Sequence, residues 1–87
     1  MNDVNRTRSK IKISDVDKLQ LLKIGQLVKQ LREERTDDSY EVFAKKNGIN
    51  RISQYRIEKG ENFMMNNLLK VVTGLGISLE EFFRQLK

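Results

Sequence analysis

The stretch from Ser39 to Gly60, SYEVFAKKNGINRISQYRIEKG, limits the fold more than any other part of the chain. It reads as two short helices hinged at Asn47 and Gly48. In the first, Val42, Phe43 and Ala44 fall inward and Lys45 and Lys46 outward. Gly48 supplies a left-handed residue that reverses the chain without the Cβ penalty other residues meet there. Asn50 is a good N-cap for the second helix, and Gly60 a good residue just past its end. Two helices joined by a few residues around a glycine make a helix-turn-helix, the motif whose second helix fits a major groove.

Helical patterns flank this motif on both sides. Ser14 followed by Asp17 has the form of a capping box ahead of an apolar-periodic run. A helix is therefore expected from near Asp15 through Ile24, Leu27, Val28 and Leu31 to Arg35. Gly25 costs about 1 kcal/mol relative to Ala in such a helix, so the reading admits a break or kink there. Leu19, Leu21 and Leu22 need a partner, either the chain's own core or another subunit. Further along, Met65, Leu68, Leu69, Val72 and Leu75 recur at helical spacing, and Gly76 ends that element. Ser78 is the expected cap of a last helix, with Glu81 completing an S-x-x-E box and Leu79, Phe82, Phe83 and Leu86 forming one stripe.

The start of the chain differs. Residues 1–13 are polar and basic, with little beyond Val4, Ile11 and Ile13 to bury, so ordering entropy is not offset and disorder is expected. Alternation of Lys10, Ile11, Lys12 and Ile13 admits a short strand instead. The chain thus divides into a basic arm over residues 1–14 and one helical domain over residues 15–87.

A chain of 87 residues can bury a modest core, in the size range where stability is marginal and a dimer would help. It has no Cys and no His, which removes disulfides, thiolate zinc ligation, the commonest metal ligand and the usual neutral-pH general base. No paired carboxylates, glycine-rich phosphate loop or nucleophile motif stands out. A non-enzyme without metal or cofactor is expected. Without a signal peptide or a membrane-length apolar run, a cytoplasmic location with no membrane partner is expected.

The net charge of +5 is unevenly spread. Arg6, Arg8, Lys10 and Lys12 stand together without an acid, and residues 45–59 hold Lys45, Lys46, Arg51, Arg56 and Lys59 against Glu58 alone. Basic side chains around the second motif helix are what phosphate neutralisation requires. The plain alternative is a solvated basic face.

Five pieces in order, IGQLVKQLREER (24–35), FAKKNGIN (43–50), RIEKG (56–60), LLKVVTGLGIS (68–78) and LEEFF (79–83), resemble the Cro and phage-repressor type, or Xre-like, helix-turn-helix DNA-binding family. The resemblance implies an all-α fold, a compact five-helix lambda-repressor-like domain, here with an N-terminal extension. It also implies a partly buried salt bridge between Arg32, at the end of the first helix, and Glu58, in the "I-E-x-G" close. Carried over residue by residue, the family's DNA contacts fall on Asn50, Arg51, Ile52 and Arg56 at the groove, with Arg56 placed either at a base edge or on a phosphate. Tyr40, Lys45, Lys46 and Lys59 fall nearer the phosphates. Arg51 leads, because an arginine there can donate two N–H groups to guanine O6 and N7. Ile52 is placed either against a thymine methyl or buried beside Ile49. In the family the last helix often helps dimerisation, which assigns Leu79 and Phe82 to the core and Phe83 and Leu86 to a subunit interface. The alternative places all four in the core.

Several positions depart from the family pattern. Tyr40 stands where a glutamine is common, Gln54 where an inward aliphatic is usual, and Asn47 in place of a leucine. Phe63 and Met64 replace a proline and a capping serine, with Phe63 expected exposed. Gln54 opens the possibility of a rotated recognition helix. Asp37 and Asp38, in a longer loop, would either repel phosphate or cap the next helix with Glu41.

Two function classes follow. The first is a sequence-specific transcriptional regulator, a repressor, restriction-modification controller or antitoxin, that binds double-stranded DNA as a homodimer on a palindromic operator through its third helix. The second is a protein-interaction module that keeps the fold with weak or no base readout and binds a protein partner. Arg51 and the absence of acids between Glu41 and Glu58 favour the first; Gln54, Tyr40, the paired aspartates and an exposed Phe63 favour the second.

Overall fold

The computed structural model describes residues 14–86, which form five α-helices with no strand among them. They are α1 (Asp15–Arg35), α2 (Tyr40–Lys46), α3 (Arg51–Glu58), α4 (Met65–Leu75) and α5 (Leu79–Gln85). Of the arm expected over residues 1–14, only Ser14 is described; residues 1–13, with their alternatives of disorder or a short strand, lie outside the described residues.

Local chemistry sets most of the boundaries. The side chains of Ser14, Ser39, Asn50 and Ser78 each accept a hydrogen bond from a first-turn N–H of α1, α2, α3 and α5. Gly48, Gly60 and Gly76 turn the chain at φ values of 70°, 83° and 79°, after α2, α3 and α4. Two capping expectations need correction. Glu81 does not close a box with Ser78, because its carboxylate accepts from Arg84 and Gln85 further along the helix. Neither Asp37 nor Asp38 caps α2. Ser39 does, while Asp38 accepts from Arg32 through its carbonyl and from Lys46 through its carboxylate.

The first helix runs unbroken for 21 residues, roughly 31 Å at ~1.5 Å per residue. Gly25 neither breaks nor ends it. A Cβ at Gly25 would collide with the Ile57 carbonyl oxygen and stand 3.0 Å from the Glu58 carbonyl, so glycine here lets α1 cross directly over the end of α3. The propensity cost of about 1 kcal/mol is the cost of that approach. One turn earlier, Leu22 lies over Gly60, which gives this exposed leucine a contact within its own chain, whereas Val16 and Leu19 remain exposed.

The core gathers Leu27, Val28 and Leu31 of α1, Phe43 and Ala44 of α2, Ile49, Ile57 of α3, Leu68, Val71, Val72 and Leu75 of α4, and Phe82 of α5. Three apolar positions do not go where their periodicity put them. Val42 is exposed, because a helix of seven residues has room for one inward turn, filled by Phe43 and Ala44. Met65 and Leu69 are also exposed; the buried stripe of α4 is Leu68, Val71, Val72 and Leu75, at the i, i+3, i+4, i+7 spacing. Phe63, expected at the surface, is half-buried against the core. Asn47 fits through close contact with Gly74 and a bond from its amide to the Phe43 carbonyl, 2.8 Å. No helix among the described residues is long and apolar enough to cross a membrane.

Candidate nucleic-acid interface

The third helix is fixed from behind by a buried polar cluster. The Arg32 guanidinium meets Glu58 edge-on, Nε donating to Oε2 at 2.8 Å and Nη2 to Oε1 at 2.9 Å. Both side chains are 8% exposed. The remaining nitrogen, Nη1, donates to the Asp38 carbonyl at 2.8 Å, so this one side chain joins α1, the α1–α2 loop and α3. The hydrogen bond to Glu58 raises the Arg32 pKa above its ordinary value, with burial opposing. Gln54 is fully buried and its Nε2 donates to Glu58 Oε2 at 2.8 Å. Among the described residues its Oε1 has no partner.

Gln54 points inward with Ile57, at the position where an inward aliphatic is usual in the resembling family. On its other side Arg51, Ile52, Tyr55 and Arg56 are exposed. Arg51, Ile52 and Tyr55 share a surface recess with Tyr40 of α2. The Tyr40 and Tyr55 rings lie 5.5 Å apart between centroids, and Lys59 Nζ sits 5.4 Å from the centre of the Tyr55 ring. Ile52 is exposed and so is not the buried neighbour of Ile49. Tyr55 was not among the residues singled out from the sequence. Its spacing from Arg51 and Ile52 on one helix face was the signal available.

The other expected contact residues are arranged differently. Arg56 faces a second recess, shared with Ser53, Asn62, Phe63, Met64 and Asn67. Asn50 spends its carbonyl oxygen on the α3 cap, accepting from the Ile52 N–H at 2.8 Å, which leaves its amide N–H groups. Lys45 and Lys46 are exposed in the last turn of α2.

The basic surplus read along residues 45–59 is smaller in space than in sequence. Lys46 pairs with Asp38 at 3.0 Å, Arg51 with Glu41 at 3.2 Å, and Arg56 approaches Glu61 at 3.8 Å. All three acids lie outside that stretch. The Arg51 and Arg56 pairs are solvent-exposed and worth little in stability, so both guanidinium groups can exchange a carboxylate for a phosphate or a base edge, whereas Lys46 is exposed and its partner Asp38 largely buried. Lys70 adds a further amine nearby, donating to the Gly48 carbonyl at 3.2 Å.

On the last helix, Phe82 is buried and Leu79 packs against the core. Phe83 stays exposed, its ring edge-on to Phe82 at 5.4 Å. Leu86 is partly buried against the same core. No group of three or more His, Cys, Asp or Glu among the described residues could hold a metal ion.

The chain is 39% identical over 67 residues to Control protein C.MunI from a Mycoplasma species, a match covering 76% of this chain and 90% of the relative. No protein-family model and no solved structure matches it.

Proposed function

The chain belongs to the family of the mycoplasma control protein, and from that premise we propose that it is a sequence-specific transcriptional regulator that binds a palindromic operator as a dimer. General regulatory DNA binding, without enzymatic chemistry, is the function that the relative and the five-helix fold support together. Among repressor, controller and antitoxin, the relative's name favours a controller of the restriction-modification kind.

The observation that carries this reading is the division of α3. Its inner side is held by Gln54, Ile57 and Glu58, while Arg51, Ile52 and Tyr55 are presented outward from a rigid helix. In the proposed complex that outer side lies in the major groove in the manner of a lambda-repressor-like domain. Arg51 donates to guanine O6 and N7, Ile52 meets a thymine methyl, and Arg56 and Asn50 approach neighbouring base edges. Tyr40, Lys45, Lys46 and Lys59 contact phosphates and set the register. Phe83, with the exposed edge of Leu86, forms the contact between two copies and places the recognition helices about 34–36 Å apart.

Selection from a randomised duplex library at near-physiological salt tests the reading. An enriched palindrome with half-sites separated by one helical turn is the expected result. Enrichment of nothing, with binding lost as salt rises, would instead favour the protein-interaction module, whose partner would then be a protein.

A further inference from the structure

Glu41 is an acid on the face proposed to meet DNA, where it opposes binding to every phosphate backbone. Its position in the first turn of α2 suits a carboxylate, since that helix end carries partial positive charge. That accounts for an acid there and not for its aim. Its Oε2 is directed across to α3 and accepts from Arg51 Nη1 at 3.2 Å. The two side chains are 50% and 68% exposed, so the contact adds little to the stability of the fold.

A guanidinium has five N–H donors in a fixed plane. With Nη1 occupied by Glu41, the Nε–Nη2 edge of Arg51 makes no other hydrogen bond among the described residues. That edge has the spacing to grip a guanine through two parallel bonds. Tyr40, Ile52 and Tyr55 line the same recess and limit where the arginine can swing. An arginine on an open surface without such a tether would reach the nearest phosphate on any sequence.

We propose that Glu41 is a positioning and specificity-determining residue that acts through Arg51. It lowers affinity for all duplexes by its charge, and it holds the Arg51 fork so that the loss is recovered only where a guanine stands opposite. The inference rests on the DNA-reading function proposed above and assigns it an acid that no single window of the sequence brings beside Arg51.

The test compares wild type, Glu41→Gln, Arg51→Ala and the double variant. Each is put through selection on the randomised duplex library and then through binding titrations on the selected and a random duplex over a range of salt. The base pair facing Arg51 is the one whose preference relaxes in Arg51→Ala. Glu41→Gln is expected to bind random duplex more tightly, with a salt slope steeper by about one. Its preference at the Arg51 base pair is expected to fall by roughly three- to tenfold. In the Arg51→Ala background, removing the carboxylate should leave base preference unmoved. An unchanged preference in Glu41→Gln would overturn the proposal. So would an equal fall with or without Arg51, which would mean that Glu41 reads a base itself. If wild type enriches no sequence at all, the DNA-reading function fails and the proposal fails with it, an outcome distinct from the other two.

Discussion

On its inner side α3 presents Gln54, Ile57 and Glu58 to a dry interior, where Arg32, two carboxylate oxygens and an amide are locked at 2.8–2.9 Å. On its outer side the same eight residues present Arg51, Ile52, Tyr55 and Arg56 to water, and the ion pairs are longer and screened. The bonds differ less in kind than in what would replace them. An exposed Arg51 released from Glu41 finds water or a phosphate, whereas Arg32 released from Glu58 keeps only the Asp38 carbonyl and has no carboxylate to replace the one lost. One short helix therefore separates a side that holds from the side proposed to read, and substitutions on either side should have separable effects.

The largest effect expected is at Glu58. Glu58→Ala leaves the Arg32 guanidinium buried without its carboxylate and Gln54 without its acceptor, at about 3–5 kcal/mol. A Tm lower by more than about 10 °C is the expected outcome for a domain of this size. A thermal melt like that of wild type would mean that the pair does not hold α3.

Gly25→Ala sharpens the same point from the other helix. On an isolated helix the change would gain about 1 kcal/mol. Here the added methyl meets the Ile57 and Glu58 carbonyls, so a net loss of about 1–3 kcal/mol is expected from overpacking. A rise in Tm would show that α1 and α3 do not touch at this crossing.

Gln54→Leu should have the smallest effect on stability. It removes a hydrogen bond to a charged group and also removes an orphaned oxygen, while Glu58 keeps both bonds from Arg32. These contributions oppose each other at ~1–3 kcal/mol apiece, so urea unfolding should shift by less than about 1 kcal/mol. A loss matching that of Glu58→Ala would give Gln54 a role in the buried cluster equal to that of the ion pair.

What could be read along the chain was what depends on near neighbours. Ser14, Asn50 and Ser78 cap helices by bonds two or three residues long, and Gly48, Gly60 and Gly76 reverse the chain by their own backbone freedom. The pairing of Arg32 with Glu58, 26 residues apart, came only through the family resemblance. Missed features depend on what another element brings close. Gly25 looked like a weak point until α3 was placed against it. Asp38, Glu41 and Glu61 lie outside the basic stretch in sequence, and folding sets each beside one of its cations. Val42, Met65 and Leu69 were misplaced because apolar spacing along a helix does not fix which side, or how wide a strip of it, the neighbouring helices cover.

The central claim is that the outer side of α3 reads sequence independently of the inner side that holds it. Arg51→Ala tests it most directly, through Tm together with affinity for the selected duplex and for a scrambled one. The account predicts an unchanged Tm and a loss of about 1–3 kcal/mol confined to the selected duplex, with preference relaxed at one base pair. Equal losses on both duplexes would contradict it, making Arg51 a phosphate contact and leaving α3 without its reader.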